Sequence, residues 1–175
     1  MNLKDFKLKM PDIFKTVKKD ARKVLSQDKN FSGRGTHRAG LSLGLVDMGM
    51  YQGGFIGGMH FHPGTEIVMN RSPLRIILET QPYEIVWAYT YHILLNLYLK
   101  SLGVIDEWQC RELTLKVSKE IFKKADHPTI IMAEKGIGTF ISDLKITYIP
   151  PDRRPDGMLI EYIVGFDEES QTYFS

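Results

Sequence analysis

The sequence predicts an α+β fold, and three observations predict it. Residues 40–70 carry alternating or continuous apolar runs cut by glycines, the pattern of short strands. Residues 82–103 form an apolar stretch of helical length, and residues 106–125 open on acids and close on lysines as a second helix would. The expected architecture is a small glycine-rich β-sheet packed on a long central helix and a second helix. At 175 residues the chain is expected to be a single domain, 1–175.

The elements follow in chain order. "MPDIFKTVKKDARKVLSQ" lies in the basic segment 1–30 and reads as a helix. Pro11 suits a first turn, where its missing N–H has no partner to lose, and Ile13, Val17, Val24 and Leu25 recur at helical spacing. "KNFSGRGTHR" is turn chemistry. Three strands are expected near 40–48, 54–62 and 66–70, with Gly53–Gly54 and Pro63–Gly64 at the reversals. "PYEIVWAYTYHILLNLYLKSLG" starts with proline and acid and ends in Lys100 and Gly103; apolar nearly all round, it should be the buried central helix. Residues 126–175 are a connector with room for a short helix ("HPTIIMAEKGIGTF"), a loop ("PPDRRPDG"), a strand ("MLIEYIVGF") and a polar tail.

Composition narrows the partners. No apolar run approaches the roughly 18–20 uncharged residues of a membrane span, so no membrane partner is expected. "MNLKDFKLKM" lacks the apolar core of a secretory signal. Cys110 is the sole cysteine, which excludes an intramolecular disulfide and points to a reducing cytoplasm. Residues 1–38 hold eleven Lys/Arg against four Asp/Glu, a surplus of +7; with +2 overall, the remainder carries −5. Such a segment can attract nucleic acid through residues 4–38, anionic lipid or an acidic protein face. The plainer reading is a solvated lysine-rich helix face, since no RNP motif, zinc finger or aromatic–basic interleaving accompanies it.

Chemistry-bearing residues are few. "GFIGGMHFHPGTE" contains Gly54, His60, His62 and Glu66, the first half of the cupin metal signature. Two histidines one residue apart on a strand point the same way and can chelate one divalent transition metal, with His92 or His127 completing the set. Against that, the motif runs into a long helix and no second-half histidine motif follows; the plainer reading is that His60 and His62 flank a turn. "GRGTHR" offers a plausible anion nest, but its glycine spacing fits neither a P-loop nor a dinucleotide fingerprint. Cys110 has no nearby histidine in sequence and reads as a small buried hydrophobe.

The central helix poses the sharpest question. "YHILLNLYLKSLG" keeps His92, Asn96 and Lys100 in one column, each four residues after the last, within otherwise apolar sequence. The column is either a solvent stripe or a cleft-facing one. Within it, "LLNLYLKSLG" resembles the zinc-binding helix of small archaeal zincin-type metallopeptidases, where H-E-x-x-H-x-L-G follows a similar aliphatic run. The glycine-rich strands and "TEIVMN" resemble the edge strand that precedes such a helix and binds extended substrate. The acid-rich helix after Gly103 resembles the one carrying the third, carboxylate ligand in gluzincins; the likeness spans roughly residues 40–125.

What the resemblance implies is a scaffold without its chemistry. Asn96 stands at the first histidine, Leu97 at the glutamate and Lys100 at the second histidine. An amide is a poor zinc ligand, leucine cannot move a proton and an ammonium repels the ion. No catalytic residue and no cofactor are then expected. Lys100 is expected to pair with Glu120, with Glu112 behind it, while His92, Glu66 and Asn70 line the remaining cleft. The implied partner is an extended polypeptide or partner protein added beside "TEIVMN". The alternative remains a metal-binding protein or metal-dependent enzyme built on His60, His62 and Glu66.

Overall fold

A computed structural model of the chain describes residues 1–29, 31, 35–50, 56–140 and 160–167. The Gly53–Gly54 reversal, the "PPDRRPDG" loop and the polar tail lie outside the described residues. The basic N-terminal segment forms helices α1 (Leu3–Lys7) and α2 (Met10–Leu25). The Asn2 side chain caps α1 by accepting the Asp5 N–H at 2.8 Å, and Pro11 occupies the first turn of α2. Ile13, Phe14, Val17, Ala21, Val24 and Leu25 bury one face of α2, while Lys15, Lys19, Arg22 and Lys23 stay outside.

Among the described residues the sheet has four strands, β1 (Ser42–Val46), β2 (Gly58–His60), β3 (Glu66–Asn70) and β4 (Glu161–Tyr162), in the order β2-β3-β1-β4. β2 and β3 are antiparallel across the Pro63–Gly64 turn, as the turn residues predict. β1 runs parallel to β3, from Ser42 opposite Glu66 to Val46 opposite Asn70, and β4 pairs antiparallel with β1. This topology corrects the expectation that "TEIVMN" is an edge: β3 is paired on both sides. Its unbroken run Ile67-Val68-Met69 is buried throughout, as an interior strand requires. The edge next to β3 is β2.

A second correction concerns residues 71–81, where no element is predicted. They form helix α3 (Arg71–Thr80). Asn70 closes β3 and caps α3 at once, its Oδ1 accepting the Ser72 N–H at 3.1 Å. Leu74, Ile77 and Leu78 then bury one side of the helix at helical spacing.

Helix α4 (Tyr83–Ser101) is the predicted central helix, buried nearly all round. It ends before Gly103, whose φ of +100° favours a residue without Cβ. Helix α5 (Glu107–Phe122) begins on Asp106, which accepts the Gln109 N–H at 2.8 Å. The connector contains helix α6 (Pro128–Lys135) and a 3₁₀ turn at Ile137–Thr139. α4 is the hub: α2, α3, α5, α6 and β2 all pack on it, whereas α5 packs on α2, α4 and α6 and not mainly on the sheet. Leu43, Leu45, Ile67 and Met69 turn one sheet face into this core. A buried ion pair, Lys18 to Asp167 at 2.9 Å, joins α2 to the segment after β4, and Phe14 stacks on Phe166 beside it. No helix among the described residues is long and apolar enough to cross a membrane.

Candidate functional site

The short link between α4 and α5 folds the two helices back on one another, so the polar column of α4 lies along α5. Lys100, in the last turn of α4, meets Glu107 in the first turn of α5, with Nζ 3.0 Å from Oε2. One turn back, the Cys110 thiol donates to the main-chain carbonyl of Asn96 at 3.5 Å. A further turn back, His92 stands near Arg111. All three column side chains are partly buried, so the column lines a seam between helices and not an open surface.

This geometry corrects the expected partner of Lys100. Glu120 lies thirteen residues beyond Glu107 along α5, about 20 Å away at helical rise, and Glu112 is exposed farther along the same helix. Glu107 was reachable from sequence, because an antiparallel helix pair brings the end of one helix to the start of the next. The His92 Nδ1 is buried with no hydrogen-bond partner among the described residues. Burial, aided by the Arg111 charge, pushes the pKa of His92 down to about 4, so its ring is neutral. Burial also pushes the Cys110 thiol up to about 11, leaving it protonated at neutral pH and a poor nucleophile.

Strand β2 crosses α4 at Ile93 and Leu97. A Cβ on Gly57 would lie 2.5 Å from Ile93 Cδ1, and one on Gly58 would lie 2.6 Å from the Val68 carbonyl and 2.8 Å from Leu97 Cδ1. Glycine is what lets strand and helix approach this closely. Leu97, at the position where the resemblance puts a general base, is therefore a core residue wedged beneath the strand. The Asn70 N–H donates to the Gly57 carbonyl at 2.8 Å and the Phe61 N–H to the Glu66 carbonyl at 3.3 Å. Residues 57, 59 and 61 thus direct their main chain to β3, and by alternation Gly58 and His60 direct theirs to the outer side. No strand among the described residues pairs there.

The two sequence candidates converge at this end of α4. His60 and His62 lie with ring centroids 6.0 Å apart, and His60 Nε2 is 2.9 Å from the Gly64 carbonyl. Burial lowers the His60 pKa against the pull of that carbonyl, and the charges of Arg38, His62 and Lys100 add to the depression. Sequence reading places Arg38 in a turn that offers an anion nest, yet it is the clamp of the site. Its guanidinium donates to the Ser101 carbonyl at 2.6 Å and to the Pro63 carbonyl at 2.9 Å, and its main-chain N–H donates to the Tyr98 hydroxyl at 3.0 Å. These partners lie 25 to 63 residues away, beyond any local signal.

The remaining candidates do not join this cluster. His60 is opposite Ile67 in register, so the adjacent Glu66 faces the other side of the sheet, where it accepts the Tyr162 hydroxyl at 2.9 Å. His60, His62 and Glu66 therefore do not converge on one point, and the cations around His60 oppose a bound divalent ion. His127 caps α6, accepting the Thr129 N–H at 3.2 Å, and stacks on Phe122. Among the described residues no three His, Cys, Asp or Glu side chains are arranged to hold a metal. Asn70 serves the fold: fully buried, it donates to the Gly49 and Ile56 carbonyls at 2.9 Å and accepts from the Met48 and Ser72 N–H groups. Compared with known proteins, the chain matches no family model, no curated protein and no solved structure.

Proposed function

We propose that this chain is a catalytically inactive metallopeptidase-like protein, without a resident metal, that binds an extended polypeptide by strand addition at β2. One observation carries the reading. A short edge strand is held against Ile93 and Leu97 of α4, with the main chain of Gly58 and His60 turned outward. Main-chain donors and acceptors on an open edge give affinity for an extended chain, and side chains flanking the strand give selectivity. Here the flanking residues are apolar and exposed: Ile56, Met59 at 39% and Phe61 at 49%. Beneath the edge, an ammonium paired to Glu107 stands where the resemblance places a zinc ligand, and leucine replaces the base. The strand that receives the polypeptide is thus β2 in place of "TEIVMN". A single buried thiol with no disulfide fits a cytoplasmic setting.

The test uses a fluorescein-labelled, reduced and alkylated unfolded protein as probe. Fluorescence anisotropy is expected to report binding, with amide NMR shifts concentrated at Gly58 and His60. His60→Pro removes an outward donor without touching the β2–β3 ladder and should abolish binding, whereas His60→Ala, which keeps the amide, should retain it. Equal binding by the two variants would refute strand addition. Chelator-sensitive cleavage of the probe, or about one zinc, iron or manganese per chain lost on replacing His60 and His62, would overturn the inactive reading in favour of the metal-dependent one.

A further inference from the structure

A hollow of about 410 Å³ opens on the outer face of α2, lined by Lys18, Lys19, Arg22, Lys23, Ser26 and His37. Five of these come from one helix face, because positions 18, 22 and 26, like 19 and 23, stack at four-residue steps. His37 closes the hollow from the segment that leads into β1. The charges differ in commitment. Lys18 is held by the buried Asp167 at 2.9 Å. Lys19, Arg22 and Lys23 form no ion pair among the described residues. Asp20, the acid between them in sequence, turns inward, where its carboxylate accepts the Tyr91 hydroxyl at 2.8 Å. Asp28 is engaged by Lys116 at 2.8 Å. Three cations without an ion pair among the described residues therefore surround one concavity, Lys19 and Lys23 feeling the Asp20 charge only at longer range, with the Ser26 hydroxyl and the His37 ring beside them. Like charges one turn apart repel, and an anion seated between them removes that cost.

We propose that this hollow binds a small phosphate-bearing anion, of the size of a di- or triphosphate. Lysine and arginine donors around a concave site match tetrahedral phosphate oxygens, while the Ser26 hydroxyl already donates to the Lys23 carbonyl at 3.3 Å. Size favours such a ligand over a nucleic-acid strand. From Lys19 to Lys23 the free cations span only about 6 Å along the helix, the reach of two or three linked phosphates. A strand-binding surface tracks the backbone farther and stacks bases on aromatic faces, and among the described residues of this lining His37 is the one ring. The site is independent of the polypeptide edge at β2, so either proposal can fail without the other.

Sodium triphosphate titrated into the full chain by calorimetry tests the assignment. One site per chain is expected, weakening several-fold between about 50 and about 200 mM sodium chloride. The exposed double variant R22A/K23A should keep the wild-type melting temperature and lose affinity by roughly tenfold or more. ATP run in parallel separates sources: tighter binding than triphosphate identifies a nucleotide, equal binding identifies the phosphate chain alone, and both support the site. No binding at millimolar triphosphate by the folded chain, or unchanged affinity in the double variant, overturns it. A short single-stranded RNA that competes at the same residues and binds at least about tenfold more tightly than triphosphate overturns it in favour of nucleic acid.

Discussion

Asn70 is the residue whose replacement tests the fold most directly. Its amide joins four main-chain groups from three segments: it donates to Gly49 O and Ile56 O and accepts from Met48 N and Ser72 N. The side chain is fully buried, so water does not replace these bonds easily. At about 0.5–1.5 kcal/mol net per hydrogen bond, the four together are worth roughly 2–6 kcal/mol. Asn70→Ala should therefore cost about 4 kcal/mol, a loss of roughly 8–16 °C in melting temperature for a chain of this length. Urea unfolding followed by far-ultraviolet circular dichroism measures it, provided the slope with denaturant stays constant. Asn70→Asp refines the result, because a carboxylate keeps both accepting roles but loses both donations and faces two carbonyls. It should destabilise comparably at pH 7 and recover partly in acid. A loss below about 1 kcal/mol for Asn70→Ala would refute the claim that this amide knots β1, β2 and α3 together.

Ion pairs of differing burial should behave differently. Lys18→Ala takes the cation from the buried Asp167 carboxylate, which keeps the Leu41 N–H at 3.1 Å, and should cost roughly 3–5 kcal/mol, whereas Lys100→Ala should cost at most about 1 kcal/mol because Glu107 is 60% exposed. Chemical denaturation of the two variants side by side decides it, and equal losses would contradict the assigned burial. Gly58→Ala places a methyl 2.6 Å from the Val68 carbonyl, which cannot rotate away. It should cost roughly 1–3 kcal/mol and speed hydrogen exchange across β2. His92 has a pKa of about 4 in the folded chain against an ordinary 6.5. Between those pH values the unfolded chain binds a proton that the folded chain refuses, so stability falls on acidification through this window. His92→Leu should flatten that slope and be neutral or stabilising at pH 7, where it also removes an unpartnered nitrogen. His60 and His127, also lowered, contribute the residual slope, while burial raises Asp20 and opposes it. An unchanged stability-versus-pH curve in the variant would contradict the burial of His92.

Long elements with strong local signals were legible. Helix α4 declares itself by apolar length, Pro82 and Gly103, and α5 by its acidic start; both appear within a few residues of expectation. Helix α3 escaped because "RSPLRIILET" follows β3 without a break, and Asn70 belongs to both elements. Its cap and the spacing of Leu74, Ile77 and Leu78 were the available signals. Strand order was harder. Glycine and proline mark where the chain turns but not which strands pair afterwards, so an interior β3 looked like an edge. The continuous burial of Ile67, Val68 and Met69 was its one local clue. At the site, sequence located the column on α4 but misassigned its charge partner, because pairing depends on how α5 doubles back. Arg38 was invisible as a clamp, since its bonds join segments far apart in the chain.

Arg38 has a neighbour that gives the clamp wider reach. His37 lines the basic hollow on α2, and the next residue pins the end of α4 to the turn beneath β2. One peptide bond therefore separates the wall of one surface from the anchor of the other. Replacing Arg38 therefore disturbs the footing of two surfaces at once, so a loss in such a variant cannot be assigned to either surface alone.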